Sequence, residues 1–233
     1  MALKLIVALD FSNRQDAFAL VEQLEPSQCA LKVGSEMFTL FGPDFVRDLV
    51  KKGFKIFLDL KFHDIPNTVA RACQACAELG VWMINVHASG GLAMMQTAVK
   101  AIEPYGDNRP LLIAVTILTS MATENLPEVG IEPSVDTQVK RLAKLALQAG
   151  LDGVVCSAFE VPMIKNTCGQ SFLTITPGIR LPGDKLNDQS RVMTPVQAVE
   201  NGSDFLVLGR SITTAPKPAN VVHELLATIP LCD

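Results

Sequence analysis

The sequence predicts an α/β protein built as a (β/α)8 (TIM) barrel, and three observations lead to this fold. Eight short apolar runs recur along the 233 residues. Helical stretches with capping residues separate them, and such alternation is typical of a parallel sheet covered by helices. Eight β-α units in about 230 residues also fit the size of this barrel. We therefore predict a single domain over residues 1–233.

The predicted strands are apolar runs that each end near a polar residue or a glycine. Near-continuous apolar runs are typical of parallel strands that are buried on both faces. In chain order the eight runs are KLIVALD (4–10), CALKVG (29–34), FKIFLDLK (54–61), WMINVH (82–87), LLIAVT (111–116), DGVVCS (152–157), FLTITPG (172–178) and FLVLGR (205–210).

The predicted helices are delimited by caps, prolines and glycines. Ser12 or Asn13 can cap a helix through ALVEQL, and Pro43 suits the first turn of a helix through DFVRDLVKK that Gly53 can end. Three further helices begin at Pro66, after Ser134 and at Thr194-Pro195, and end at Gly80, Gly150 and Gly202.

A doubly wound open sheet is the alternative architecture. The first turn, LDFSNRQD (9–16), lacks the G-x-G-x-x-G pattern of dinucleotide-binding sheets. The sequence therefore favours the barrel.

Composition and charge argue against two classes of partner, nucleic acids and membranes. The formal net charge is -4 and no long block of lysine or arginine occurs, so we expect no nucleic-acid partner. The chain lacks a signal-peptide pattern and any apolar segment of about 18 residues, so we expect no membrane partner and a cytoplasmic location.

The six cysteines are expected to be reduced thiols in that compartment. Cys73 and Cys76 form a C-x-x-C pair, which is one pattern of redox and zinc sites. No second pair stands at zinc-ribbon spacing, and the pair lies in a predicted helix. We interpret the two residues as small helix residues one turn apart.

Polar residues collect where the predicted strands end. In this fold the active site forms at those ends and in the loops that follow them. The residues at these positions are Asp10, Lys32, Asp59, Lys61, His87, Thr119, Ser120, Ser157, Gly178, Arg180, Gly209 and Arg210.

The stretch FLDLKFHDIP (57–66) contains the densest group of charges in a buried run. Asp59 and Lys61 are two residues apart on a strand, so both face the barrel mouth if Leu60 faces the helices. Asp64 follows in the loop, and Lys32 ends the neighbouring strand. Two carboxylates about 4 Å apart repel by roughly 4 kcal/mol at an effective dielectric near 20. An ammonium between them turns this repulsion into attraction.

The flanking carboxylates indicate what kind of chemistry Lys61 can do. They favour its ammonium form, whereas a lysine that forms imines must be a neutral amine. The spacing therefore indicates a fixed cation and proton donor, and argues against Schiff-base chemistry. A salt-bridge network that only braces the strands is the structural alternative.

A phosphate site is predicted after strands seven and eight, in TPGIR (176–180) and LGR (208–210). The glycine N–H groups can approach an anion, and Arg180 and Arg210 add positive charge. The segment LPGDKLNDQSR (181–191) between them is long and polar, which is typical of a lid. The alternative is a pair of glycine turns with surface arginines.

The ordered set of these motifs resembles the orotidine 5'-monophosphate decarboxylase family in its bacterial form, over essentially the full length. LDLKFHDIPNT (58–68) is similar to the family signature around the catalytic lysine. The other motifs match in order and spacing: VALD, LKVGSEMF, NVHASGG, VTILTS, DGVVCS, TPGIR and LGR.

The resemblance implies the reaction and its catalytic residues. Orotidine 5'-monophosphate would lose CO2 to give UMP, the last step of de novo pyrimidine synthesis, with no cofactor and no metal. Lys61 would donate a proton to C6 of the pyrimidine, Asp59 would face the substrate carboxylate, and Lys32 would link Asp59 to the ribose hydroxyls. Asp64 and Thr68 would come from the neighbouring subunit, which implies a homodimer with shared sites.

The resemblance also implies the residues that bind the substrate. Ribose, pyrimidine edge and phosphate would each have their own contacts. These are Asp10 for a ribose hydroxyl, Thr119 and Ser120 for the pyrimidine edge, and Arg180, Gln189, Gly209 and Arg210 for the phosphate, with Gln189 bridging to the base.

Two other functions stay open at this point. A magnesium-dependent sugar-phosphate decarboxylase, 3-keto-L-gulonate 6-phosphate decarboxylase, resembles the chain in fold and in a D-x-K-x-x-D motif. That family carries an acidic residue where this chain has Lys32, and a lysine opposes a divalent cation. A non-catalytic barrel that binds a nucleotide phosphate would keep Gly209 and Arg210 but would not need Lys61.

Overall fold

The computed structural model describes residues 4–132, 134–181 and 192–229, and within them eight parallel strands form a closed barrel in chain order. Pairing of the first strand with the eighth closes the sheet, so the predicted barrel is confirmed and the open-sheet alternative is excluded. Each predicted run contains one strand. The strands are β1 Leu5–Leu9, β2 Ala30–Gly34, β3 Ile56–Phe62, β4 Met83–His87, β5 Leu111–Val115, β6 Gly153–Val155, β7 Leu173–Thr176 and β8 Phe205–Leu208.

Helices cover the outside of the barrel. None of those in the described ranges is long and apolar enough to cross a membrane. In chain order they are α1 Arg14–Val21, α2 Ser35–Lys51, α3 Pro66–Glu78, α4 Leu92–Ile102, α5 Val135–Ala149, α6 Val161–Cys168, α7 Pro195–Glu200, α8 Arg210–Thr213 and α9 Pro218–Thr228.

The capping residues named from the sequence start their helices as expected. Asn13, rather than Ser12, caps α1 by accepting a hydrogen bond from the backbone N–H of Asp16 at 2.8 Å. Ser134 caps α5, and Thr194 caps α7. Each side-chain oxygen satisfies one of the N–H groups that a helix leaves unpaired in its first turn.

The helix predicted from Pro43 is confirmed as the second half of α2, and a first half that begins at Ser35 precedes it. Gly42 interrupts it with a φ of +64°, a conformation that favours glycine, and Pro43 then opens the second half. The proline therefore marks the first turn of the second half as predicted, and the half that begins at Ser35 was not predicted.

Side chains alternate between the barrel interior and the helix layer along each strand. Leu58 and Leu60 of β3 pack against the helix-facing core, whereas Phe57 points into the barrel. The interior core is the set Ile6, Ala8, Ala30, Phe57, Met83, Ile113, Ile175 and Val207. Asp59 and Lys61 follow Phe57 in the inward series, as the sequence predicts for a helix-facing Leu60.

A buried ion pair braces the amino end of the barrel, opposite the mouth. Lys165 of α6 lies 2.6 Å from Asp204, which precedes β8, and its side chain is only 6% exposed. The Lys165 ammonium also donates to the carbonyls of Gln170 and Phe172, at 2.9 and 3.0 Å. Asp204 in turn accepts from the backbone N–H and the hydroxyl of Thr174 in β7. The pair therefore ties α6 to β7 and β8.

The Cys73–Cys76 pair lies on α3, and both thiols are free and buried. Burial raises the pKa of each thiol to about 12, with Cys76 adding to the shift of Cys73. Thiols in this state are poor nucleophiles and poor metal ligands. The arrangement agrees with small helix residues in a core.

Candidate functional site

A cavity of about 270 Å³ opens at the carboxyl end of the barrel. Its floor is apolar and includes Phe57, Val155 and Val207 of the strands, with Ile117 and Leu118 beyond β5. Polar side chains line its rim. Nine residues named from the sequence line the cavity: Asp10, Lys32, Asp59, Lys61, Thr119, Gly178, Arg180, Gly209 and Arg210.

Asp59 is the centre of the charged group in this cavity. Its Oδ1 atom accepts from Lys61 Nζ at 2.7 Å, and its Oδ2 atom lies 3.4 Å from Lys32 Nζ. Lys32 Nζ lies 3.5 Å from Asp10 Oδ1 as well. The structure thus brings together the four charges Asp10–Lys32–Asp59–Lys61 as an alternating chain along β1, β2 and β3.

The pKa of Asp59 reflects a balance between burial and charge. Burial alone raises the pKa of this carboxyl. The positive charges of Lys32 and Lys61, with hydrogen bonds from Lys61 and Asn85, outweigh burial and hold the pKa below its ordinary value. Asp59 is therefore an anion at neutral pH, and it presents an acceptor to two ammonium groups.

Asn85 of β4 belongs to this group, although the sequence reasoning missed it. It is fully buried, accepts from the Lys61 backbone N–H at 2.8 Å and donates to Asp59 Oδ1 at 2.6 Å. The one signal in the sequence is an amide inside the apolar run WMINVH, next to the run that carries Asp59 and Lys61. A buried amide in a strand needs partners, and here both are charged or backbone groups of the candidate site.

The predicted anion site lies on the other side of the cavity from Lys61's strand. Gly178 and Gly209 line it together with Arg180 and Arg210. Gly178 has a φ of +79°, which favours glycine, and the backbone pairs of Gly178 and Arg180 with Met193 join the two ends of the intervening segment. Gln189 and residues 182–191 of the predicted lid lie outside the described residues.

Three of the predicted residues do not line the cavity of their own chain. Ser120 is exposed beyond Thr119, and Thr68 is exposed in the first turn of α3. Asp64 is exposed too, and its Oδ1 atom accepts from the N–H of Ile65 at 2.6 Å. The local turn, and not an interaction with Lys61, thus sets the orientation of the Asp64 side chain.

His87 closes β4 beside the charged group. It is half-buried, and its ring centroid lies 5.4 Å from that of His63. Burial lowers the pKa of His87, and the neighbouring His63 and Lys61 lower it further. No group of three metal-ligating side chains is arranged to hold a metal ion in the described part of the chain.

Comparison with known proteins identifies a family that matches nearly the whole chain. Residues 3–225 match the family described as "Orotidine 5'-phosphate decarboxylase / HUMPS family". The chain is 62% identical over 226 residues to the orotidine 5'-phosphate decarboxylase of Legionella pneumophila strain Lens, covering 97% of this chain and 99% of that protein. It is 56% identical to the enzyme of the same name from Vibrio atlanticus, covering 97% and 98%.

Solved structures are similar over the same length. The crystal structure of orotidine 5'-phosphate decarboxylase from Lactobacillus acidophilus superposes with a TM-score of 0.88 at 38% identity, covering 98% of this chain and 100% of that chain. An uncharacterized conserved protein from Geobacillus kaustophilus superposes with a TM-score of 0.85 at 39% identity, covering 97% and 100%.

Proposed function

The chain belongs to the orotidine 5'-phosphate decarboxylase / HUMPS family and decarboxylates orotidine 5'-monophosphate in pyrimidine biosynthesis, and we propose that Lys61 carries out this reaction without a cofactor. One observation carries the proposal. The Lys61 ammonium is fixed 2.7 Å from Asp59 at the cavity mouth and is 35% exposed there. It is thus held in place by one carboxylate while it still faces the space that a substrate would fill.

The reaction needs a cation more than it needs a base. When the bond from C6 to the carboxylate breaks, CO2 leaves and the electron pair stays on C6, where the pyrimidine ring cannot delocalise it well. A preorganised ammonium lowers the energy of this carbanion in a site that is shielded from water. A proton from Lys61 Nζ then forms the C6–H bond of UMP, which is general acid catalysis by the same group.

Asp59 and Lys32 set the charge around the leaving group. Asp59 faces the substrate carboxylate, so repulsion between the two anions falls as CO2 departs. Lys32 stands between Asp59 and Asp10, 3.4 and 3.5 Å from their carboxylate oxygens. In this role Lys32 holds Asp59 in place and, with Asp10, binds the ribose hydroxyls.

The remote parts of the substrate supply binding energy that orients C6 over Lys61. The base lies on the apolar floor of the cavity and the phosphate lies against the arginines. In our proposal Thr119 and Ser120 contact the pyrimidine edge, and Arg180, Gln189, Gly209 and Arg210 hold the phosphate, with Gln189 bridging to the base.

A homodimer completes the site in this proposal. Asp64 and Thr68 reach the mouth of the neighbouring subunit. Their absence from the cavity of their own chain supports this arrangement. Ile65 beside them is 66% exposed, an apolar surface that a second subunit would cover. In this proposal residues 1–233 form one domain, and the protein acts in the cytoplasm.

The magnesium-dependent alternative is less well supported. An ammonium lies between Asp10 and Asp59, within 3.5 Å of both, where a divalent cation would need their oxygens. The relatives at 56% and 62% identity bear the name orotidine 5'-phosphate decarboxylase. A non-catalytic phosphate binder would not need Lys61, and it would show no turnover of orotidine 5'-monophosphate.

The test is the ultraviolet loss of orotidine 5'-monophosphate, with and without EDTA, for the wild type and for Lys61→Ala. We expect turnover that EDTA does not affect and that falls at least about 10⁴-fold in the variant, since one group supplies both charge and proton. No turnover by the wild type would leave the phosphate binder as the function. Turnover that EDTA abolishes would contradict the cofactor-free mechanism.

A further inference from the structure

The strand that carries Lys61 is irregular next to β4. The two strands pair in register at Leu58 and Ile84, and pairing resumes at Phe62 and Val86. Three residues of β3 therefore lie opposite one residue of β4, which is Asn85. A bulge of this kind redirects side chains and is common beside active sites.

Lys61 has an unusual backbone conformation within this bulge. Its φ is +53°, and it is the one non-glycine residue with positive φ in the described ranges. Such a conformation is unfavourable for an L-amino acid and persists only where surrounding contacts hold it. The contact at this point is the hydrogen bond from the Lys61 N–H to Asn85 Oδ1, at 2.8 Å.

The chemistry of the two partners selects an amide at this position. The Lys61 N–H can only donate, and the Asp59 carboxylate can only accept. Asn85 offers one carbonyl oxygen and one NH2 group, and it uses them for these two partners at 2.8 and 2.6 Å. A leucine would satisfy neither, and an ionised carboxylate would repel Asp59.

We propose that Asn85 is a positioning residue for the decarboxylation, because its amide fixes the Asp59 carboxylate and the Lys61 backbone at once. The ammonium then stands at one point in the cavity and needs no rearrangement during the reaction. The inference rests on the proposed function of Lys61. It adds a buried residue of another strand that does not line the cavity.

Asn85→Leu removes the amide at similar volume. We expect kcat to fall about 100-fold, the loss that a misplacement of about 1 Å produces, with KM changed less than about threefold. Leu112→Ala is the control. Leu112 is fully buried on β5 and packs in the helix-facing core, outside the barrel interior where the charged group lies, so kcat per folded molecule of this variant should stay at the wild-type value.

Asn85→Asp gives a readout that a purely structural role would not change. When the introduced carboxyl group is protonated, it reproduces the amide, because its carbonyl accepts from Lys61 and its hydroxyl donates to Asp59. We expect kcat relative to wild type to rise at least about tenfold from pH 8 to pH 6, since the adjacent carboxylate raises the pKa of the new group. The groups around the position, Lys32, Asp59, Lys61 and His87, are common to both proteins, so the ratio isolates the substitution.

Amide hydrogen exchange at Lys61 tests the same bond without any assay of activity. We expect the Lys61 N–H to be protected in the wild type and to exchange at least about tenfold faster in Asn85→Leu, with the Leu58 N–H unchanged. An active wild type with normal kcat in Asn85→Leu, or with no recovery of Asn85→Asp at low pH, would overturn the inference. An inactive wild type would overturn the proposed function instead, and the exchange result would still report on the bond.

Discussion

Two lysine–aspartate pairs at opposite ends of the barrel use the same chemical groups differently. At the amino end, Lys165 is 6% exposed and donates to three protein oxygens, which satisfies every N–H of its ammonium. At the mouth, Lys61 is 35% exposed, and within the described residues its ammonium donates one hydrogen bond, to Asp59. One ammonium is fully engaged within the protein, and the other keeps hydrogen-bonding capacity directed at a cavity.

The difference indicates how to separate stabilising from functional charges in such a fold. In one kind of ion pair, every hydrogen-bonding group is already satisfied within the protein. Replacing one member of such a pair lowers the free energy of unfolding, because it leaves a buried charge without compensation. An ion pair that faces a cavity has donors left for a ligand, and its removal affects binding or chemistry first. Burial and hydrogen-bond count therefore distinguish the two pairs better than residue type does.

The largest change in stability is expected for Lys165→Met. It leaves Asp204 partly buried without its cation, which costs about 3 kcal/mol of unfolding free energy and lowers the melting temperature by roughly 6–12 °C. Lys61→Met is the matched comparison and should lower the melting temperature less, because Asp59 keeps Lys32 and Asn85 as partners. Calorimetry of both proteins checks this, and equal melting temperatures for the two variants would break the comparison.

A smaller effect, on activity alone, is expected for Arg210→Ala. Loss of a charged contact to the phosphate costs about 2 kcal/mol, so kcat/KM for orotidine 5'-monophosphate falls roughly 30-fold. The rate with orotidine, which has no phosphate, should not change. Arg47→Ala, in an exposed ion pair on α2, is the control for loss of an arginine. An equal loss with both substrates would rule out a phosphate contact.

The smallest effect concerns the pH dependence of stability at the mouth. Because the pKa of His87 is lowered in the folded protein, the unfolded chain takes up a proton first as pH falls through its ordinary value of about 6.5. Stability is thus present above this pH and lost below it. His87→Asn should reduce the fall in melting temperature between pH 7.5 and 5.5, whereas the exposed His223→Asn should leave it as in the wild type. If the melting temperature of His87→Asn falls between pH 7.5 and 5.5 as much as that of the wild type, other groups cause the fall.

Much of this molecule follows from local sequence patterns. Each of the eight apolar runs forms a strand, and residues at their ends, such as Asp59 and Lys61, reach one mouth because all strands run parallel. These inferences needed only strand periodicity and the geometry of a closed parallel sheet.

Features that depend on contacts between strands were not predictable. The bulge opposite Asn85 arises from the register of β3 against β4, which no single segment specifies. Helices α4, α6, α8 and α9 were also not located from the sequence, and none of these four has a side-chain cap. In our proposal Asp64 acts in the site of a second subunit, and the fold of one chain leaves it outside its own cavity.

The most direct test of the account restores an ammonium at position 61 by chemical means. Lys61→Cys is treated with 2-bromoethylamine, and the wild type is treated in parallel. Of the six native thiols, Cys29, Cys73 and Cys76 are shielded by burial, which raises the pKa of each to about 12, and the treated wild type shows the effect of alkylating the others. The measurement is the decarboxylation rate before and after alkylation, with the added mass confirmed.

We predict that Lys61→Cys is folded and at least about 10⁴-fold slower than the wild type, and that aminoethylation recovers at least about 100-fold of the rate. Such recovery would mean that a cation and proton donor at this point in the cavity drives the reaction. A fully alkylated, folded protein that gains no activity would contradict the account.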